Sequence, residues 1–189
     1  MNIELEGGRF YLRELAENDW AAVHDYASQE IVSRYQPWGP NSEEDSRKFV
    51  NDSLMDAAKD PRTRFVFAIV LKDTEKLVGA GEFNLRDRAN KAGEIGYIIN
   101  PAFWGQGIAT EAASRLIDFG FKELGLHRIY ATCDPENAAS QKVLEKIGLV
   151  KEGWMRENLL MNNGWRDSLL YSVLEHEWHS GKKVIRWKK

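Results

Sequence analysis

The sequence predicts an α+β fold, a mixed and mostly antiparallel central sheet of about seven strands flanked by about four helices. Three observations lead there. Seven short stretches either alternate apolar with polar residues or run through β-branched and aromatic ones. Three of them follow one another between residues 64 and 100 with short turns between, which suits an antiparallel meander. From Ile108 the period then changes, with Ile108, Ala112, Leu116, Gly120 and Leu124 four apart on one face of a long helix.

Taken in order, RFYLREL (9–15) alternates and is a strand. AENDWAAVHDYASQ (16–29) follows with an acidic start and apolar residues at Trp20, Val23 and Ala27, a helical spacing. Pro37, Gly39 and Pro40 break it, because proline lacks the N–H a helix needs and clashes with the preceding turn. A second helix starts near Ser42, where Glu43, Glu44 and Asp45 suit the positive end of the dipole. The meander comprises RFVFAIVLK (64–72), LVGAGEFNLRD (77–87) and GEIGYIIN (93–100). The helix from Ile108 stops at Gly125. HRIYATC (127–133) is a strand and PENAASQKVLEKIG (135–148) a helix. LVKEGWMRENLL (149–160) and WRDSLLYSVLEHEW (165–178) are two closing strands joined by a turn.

A chain of 189 residues with 43% hydrophobic and 29% charged content reads as one globular domain, 1–189. Its net charge of −3 argues against bulk nucleic-acid binding and leans towards cationic partners. The basic segment KKVIRWKK (182–189) suits either a solvated tail or contact with RNA. One cysteine, Cys133, excludes an internal disulfide and reads as a small buried hydrophobe. The first residues lack a basic and then apolar leader pattern, and no stretch is long and apolar enough for a membrane span, so the expected location is cytoplasmic with no membrane partner. His176 and His179 stand three apart rather than four, so no metal is expected.

Gly105 and Gly107 sit where a strand hands over to the long helix. A helix N-terminus offers unpaired N–H groups and positive potential to a phosphate, provided no Cβ blocks the approach. A loop that only needs positive φ would use the same glycines. No lysine follows Gly107, which excludes a Walker loop, and GQGIAT matches a dinucleotide fingerprint only in part, with Thr110 at its third glycine.

NPAFWGQGIATEA resembles the pyrophosphate loop of the GNAT acetyltransferase superfamily, Q/R-x-x-G-x-G/A, with Trp104 in place of the usual first Gln or Arg. Together with GRFYLREL, YQPWGP, EIGY, ENAASQKVLEKIGLVKEG and NGWRDSLLYSVLEHEW, it is similar to the RimJ/RimL branch over roughly residues 8 to 178. The resemblance implies a V-shaped gap between the fourth and fifth strands, 93–100 and 127–133, holding acetyl-CoA as cosubstrate. Its diphosphate would rest on Gly105, Gln106, Gly107, Ile108, Ala109 and Thr110, and its pantetheine arm on the backbone of Ile98, Ile99 and Asn100.

The same resemblance implies an N-acetyltransferase in which a primary amine attacks directly and a backbone N–H of Ile98 or Ile99 stabilises the oxyanion. Asn137 would touch the pantetheine and Ser140 the leaving sulfur, although helix capping would also explain both. Glu94 is a candidate base, with Glu82, Glu157 and water as alternatives, and Trp38 resembles the aromatic of the branch's acceptor-side loop, with a turn aromatic folded onto the core as the other reading. Glu82 is also a candidate acceptor-binding residue. The implied acceptor is a protein N-terminus, such as that of a ribosomal protein, or a small polyamine or aminoglycoside, with the enzyme a monomer or homodimer. A non-catalytic acyl-CoA sensor is the alternative reading.

Overall fold

The computed structural model describes residues 3–161 and 163–180, so the basic segment 182–189 lies outside the described residues. Eight strands form one sheet: β1 (Glu4–Glu6), β2 (Phe10–Glu14), β3 (Arg64–Leu71), β4 (Leu77–Asp87), β5 (Ala92–Ile99), β6 (Arg128–Cys133), β7 (Val150–Met161) and β8 (Gly164–Leu174). Their order across the sheet is β1-β2-β3-β4-β5-β6-β8-β7, and only β5 and β6 run parallel. The helices are α1 (Trp20–Ala27), α2 (Glu30–Ser33), α3 (Glu43–Ala57), α4 (Ile108–Lys122), α5 (Ala138–Lys146) and α6 (Glu175–Ser180).

Among the described residues, eight strands and six helices replace the expected seven and four. The additions are short. β1 has three residues and α2 four, too few to show a period. At α6 the chain departs from the expected strand, because the Glu177 carboxylate accepts from the backbone N–H of Leu174 at 2.9 Å and starts a helical turn.

β3 shows how both faces of the sheet are covered. Phe65, Phe67 and Ile69 enter the core beneath α4, while Val66, Ala68 and Val70 enter a second core beneath α1 and α3. This is the period of two expressed on a strand buried on both sides. Phe119 of α4 meets Phe65, Phe67 and Phe83 edge to face at 5.2, 5.5 and 5.9 Å. Gly120 lets α4 lie this close, since a Cβ there would stand 2.6 Å from both Ile129 and Phe83. Ser42 and Asp45 cap α3 reciprocally, the hydroxyl accepting from the Asp45 N–H at 3.1 Å and the carboxylate from the Ser42 N–H at 2.9 Å.

Candidate active site

β5 and β6 pair only from Ala92 to Glu94 against Arg128 to Tyr130. Beyond Glu94 they diverge, because β5 stays with β4 up to Ile99 while β6 stays with β8 up to Cys133. The V-shaped gap thus opens between the two strands from which it was expected. It belongs to a cleft of about 1290 Å³ that reaches from the glycine turn to the loop at residues 34–41.

At one end of the cleft, Gly105 and Gly107 both have positive φ, 74° and 79°. Gly107 is the N-cap of α4 and no side chain caps the helix, which leaves the N–H groups at its start open. A Cβ at Gly105 would meet nothing within 4 Å, so its glycine answers to backbone conformation. Arg9, just before β2, clamps the loop from outside. Its guanidinium donates to the Gln106 carbonyl and pairs with Glu111 at 2.8 Å, neutralising the one acid in the first turn of α4. No Lys or Arg occurs from residue 92 to 114, so Arg9 brings charge that the loop lacks. Sequence reading missed Arg9, which stands 97 residues from Gln106 with no local signal.

The backbone of β5 divides its groups between β4 and the gap. The N–H of Asn100 donates to Val78 at 2.8 Å. A Cβ on Gly79 would stand 2.2 Å from the carbonyl of Ile98, so that carbonyl faces β4 as well. By the alternation of an antiparallel ladder, Ile98 and Asn100 face β4 while Tyr97 and Ile99 turn their backbone groups into the gap. This corrects the expected trio: Ile98 and Asn100 have their N–H groups committed to the sheet, and Ile99 alone of the three offers one to the gap. Asn100 is 3% exposed and spends its side chain on Asp25 at 2.7 Å and the Ala102 N–H at 3.1 Å.

On the other wall, Asn137 caps α5, its side chain accepting from the Ser140 N–H at 3.0 Å. The cap takes only the backbone N–H of Ser140; its hydroxyl lies 3.1 Å from the phenol oxygen of Tyr97 across the gap and also reaches the Cys133 thiol. Burial raises the Tyr97 phenol far above its ordinary value, so it stays protonated. Cys133 also lines the cleft, its thiol pushed up to about 11 by burial. Tyr97 is the second residue missed; its place in EIGY was noted, but nothing local says that it reaches α5.

Of the three acids considered as base, Glu82 is held by two of the guanidinium nitrogens of Arg64 at 3.0 Å and by Asn84 at 2.7 Å. Glu157 does not line the cleft. Glu94 stands at the vertex of the gap, with Oε2 on Arg86 at 2.8 Å and Oε1 accepting only a 3.4 Å contact from Thr132. Trp38 lines the cleft and packs against the core beneath α1 and α3. Among the described residues no group of three or more His, Cys, Asp or Glu side chains could hold a metal, and no helix is long and apolar enough to cross a membrane.

A strand splayed from its parallel neighbour, followed by a glycine turn at a helix N-terminus, defines an acyl-CoA-dependent transferase. Residues 9–150 match the acetyltransferase (GNAT) domain, and the chain belongs to the GNAT superfamily of acetyl-CoA-dependent N-acetyltransferases. It is 39% identical over 171 residues to the uncharacterized N-acetyltransferase YnaD of Bacillus subtilis, covering 90% of this chain and 96% of the relative. Two Escherichia coli relatives have different acceptors in their names. Spermidine N(1)-acetyltransferase is 30% identical, covering 92% of this chain and 90% of its own, and [ribosomal protein uS5]-alanine N-acetyltransferase is 25% identical, covering 95% of each. Mycobacterium smegmatis RimJ in complex with CoA-disulfide superposes with a TM-score of 0.82 at 26% identity, covering 93% of this chain and 88% of that one.

Proposed function

We propose that the acceptor is the α-amine of a peptide or protein N-terminus, acetylated by direct attack within the gap. The observation that carries this reading is the state of the carboxylates lining the cleft. Glu82 is engaged by Arg64, Glu94 by Arg86, Asp52 by Lys48 and Asp134 by Arg166, while Asp45 caps α3. Arg34 and Lys142 line the same cleft with no acidic partner among the described residues. A polyamine, with a positive charge at each end, would meet occupied acids and unpaired cations. The chain's overall negative charge therefore does not extend to this cleft.

Protonation favours the same acceptor. At pH 7 an α-amine of pKa near 7.8 is about 14% neutral, against about 0.04% for a lysine near 10.4. Glu94 is the acid that can take the proton, through Oε1, directly or by way of water. The Ile99 N–H is aimed at the oxyanion, Ser140 at the departing sulfur, and Asn137 and the start of α4 at the pantetheine and diphosphate. Cytoplasmic location belongs to this same reading.

The test compares kcat/KM for a peptide with a free N-terminus, an acetyl-blocked version retaining an internal lysine, and spermidine. On neutral fraction alone the free N-terminus should be preferred to the lysine by about 350-fold. Equal or better use of the blocked peptide or spermidine would refute the acceptor assignment.

A further inference from the structure

We propose that Tyr97 is a positioning residue for acetyl transfer, its hydroxyl reaching from β5 across the gap to aim the hydroxyl of Ser140 at the leaving sulfur. The inference rests on the Ser140 reading above and adds the group that controls it. Two distances carry it: the Tyr97 oxygen lies 3.1 Å from Ser140 Oγ and 3.5 Å from the Ser140 carbonyl oxygen. The phenol has one proton to give, and of the two contacts the shorter is to Oγ; the phenol is taken as donor there.

A serine hydroxyl has one proton. If Oγ accepts from Tyr97, its own proton is left for another acceptor, and the sulfur of the thioester is the acceptor the reaction brings into the gap. The asparagine cap leaves this arrangement undisturbed, because Asn137 takes the backbone N–H of Ser140 and not its hydroxyl. In the reaction the C–N bond forms, the C–S bond breaks, and the net proton passes from the amine nitrogen to sulfur. Tyr97 neither gains nor loses a proton in that balance. Its buried phenol, held in the protonated form, is suited to a fixed donor and unsuited to acting as the acid itself.

Three variants test this: Tyr97→Phe, Ser140→Ala and the double substitution. Tyr97→Phe keeps the ring and its packing and deletes one hydroxyl. Its kcat should fall about fivefold, the value of one hydrogen bond, with KM for acetyl-CoA within about twofold of the parent. Ser140→Ala should cost at least as much, and the double variant no more than Ser140→Ala alone, because the tyrosine acts only through the serine. Coenzyme A affinity measured on each protein shows that the site is intact. A Tyr97→Phe enzyme with parental kcat, or effects that multiply in the double variant, would overturn the inference and leave the Ser140 reading standing. A Ser140→Ala enzyme with parental kcat would overturn both.

Discussion

The indole N–H of Trp104 donates to the carbonyl of Ile99 at 2.7 Å, tying the glycine turn back to the last residue of β5. Trp104 occupies the position where the loop pattern usually has Gln or Arg, and it is 47% exposed. Its bond therefore acts on loop geometry, holding the open N–H groups of α4 in line with the gap. Trp104→Phe removes the donor and keeps a ring. It should weaken coenzyme A binding about fivefold, as the loss of about 1 kcal/mol implies, with little change in kcat at saturating cosubstrate. Calorimetric titration of both proteins checks it.

Gly107→Asp should abolish coenzyme A binding, a loss of at least about a hundredfold, with a fold that stays intact. Aspartate tolerates positive φ better than most residues, so the 79° at this position need not unfold the helix start. A Cβ there would stand 3.4 Å from the Arg9 guanidinium, so the carboxylate would draw Arg9 off the Gln106 carbonyl and add negative charge at the helix end that attracts a phosphate. Circular dichroism and titration on the same sample separate the two effects; retained affinity would remove the phosphate cradle.

Glu82 and Glu94 differ in their partners, and their glutamine variants should differ in kind. Glu82→Gln breaks a part-buried bidentate pair with Arg64 and should cost about 1–3 kcal/mol of stability, read by denaturant unfolding. Glu94→Gln should lower kcat by about a hundredfold, within the usual range for losing a general base, and leave coenzyme A affinity unchanged. If Glu82→Gln slows turnover without loss of stability, the base has been assigned to the wrong carboxylate.

The long elements and the glycine turn before α4 were legible in the sequence because their signals are local. The four-residue period after Ile108, the alternation in β3 and the two glycines before a helix each lie within one window. The N–H groups of β5 were not, because which of Ile98 and Ile99 faces the gap depends on the register with β4, and a shift of one residue exchanges them. Arg9 and Tyr97 escaped for a related reason, since each acts through a contact formed only when distant elements meet. The identity of Glu82 as a carboxylate was plain, but its engagement by Arg64 from the neighbouring strand was not.

Acid should destabilise the closing strands through Glu152. Its hydrogen bond with Arg128 holds the carboxyl below its ordinary value, with the Ser172 hydroxyl adding to the effect against partial burial. A carboxyl lowered in the folded state contributes its full stability above the unfolded pKa near 4.3, and loses it as pH falls through the folded value. The drop in Tm between pH 6 and pH 3 should therefore be smaller in Glu152→Gln than in the parent. An identical drop would mean that the Arg128 pair is not linked to folding.

The central claim is that acetyl transfer occurs in the gap between β5 and β6, and a crystal structure with coenzyme A tests it most directly. The diphosphate should lie on the N–H groups at the start of α4, and the sulfur within about 3.5–4 Å of Ser140 Oγ, between Ile99 and α5. A diphosphate placed away from Gly107, or a sulfur outside the gap and beyond reach of Ser140, would contradict the account.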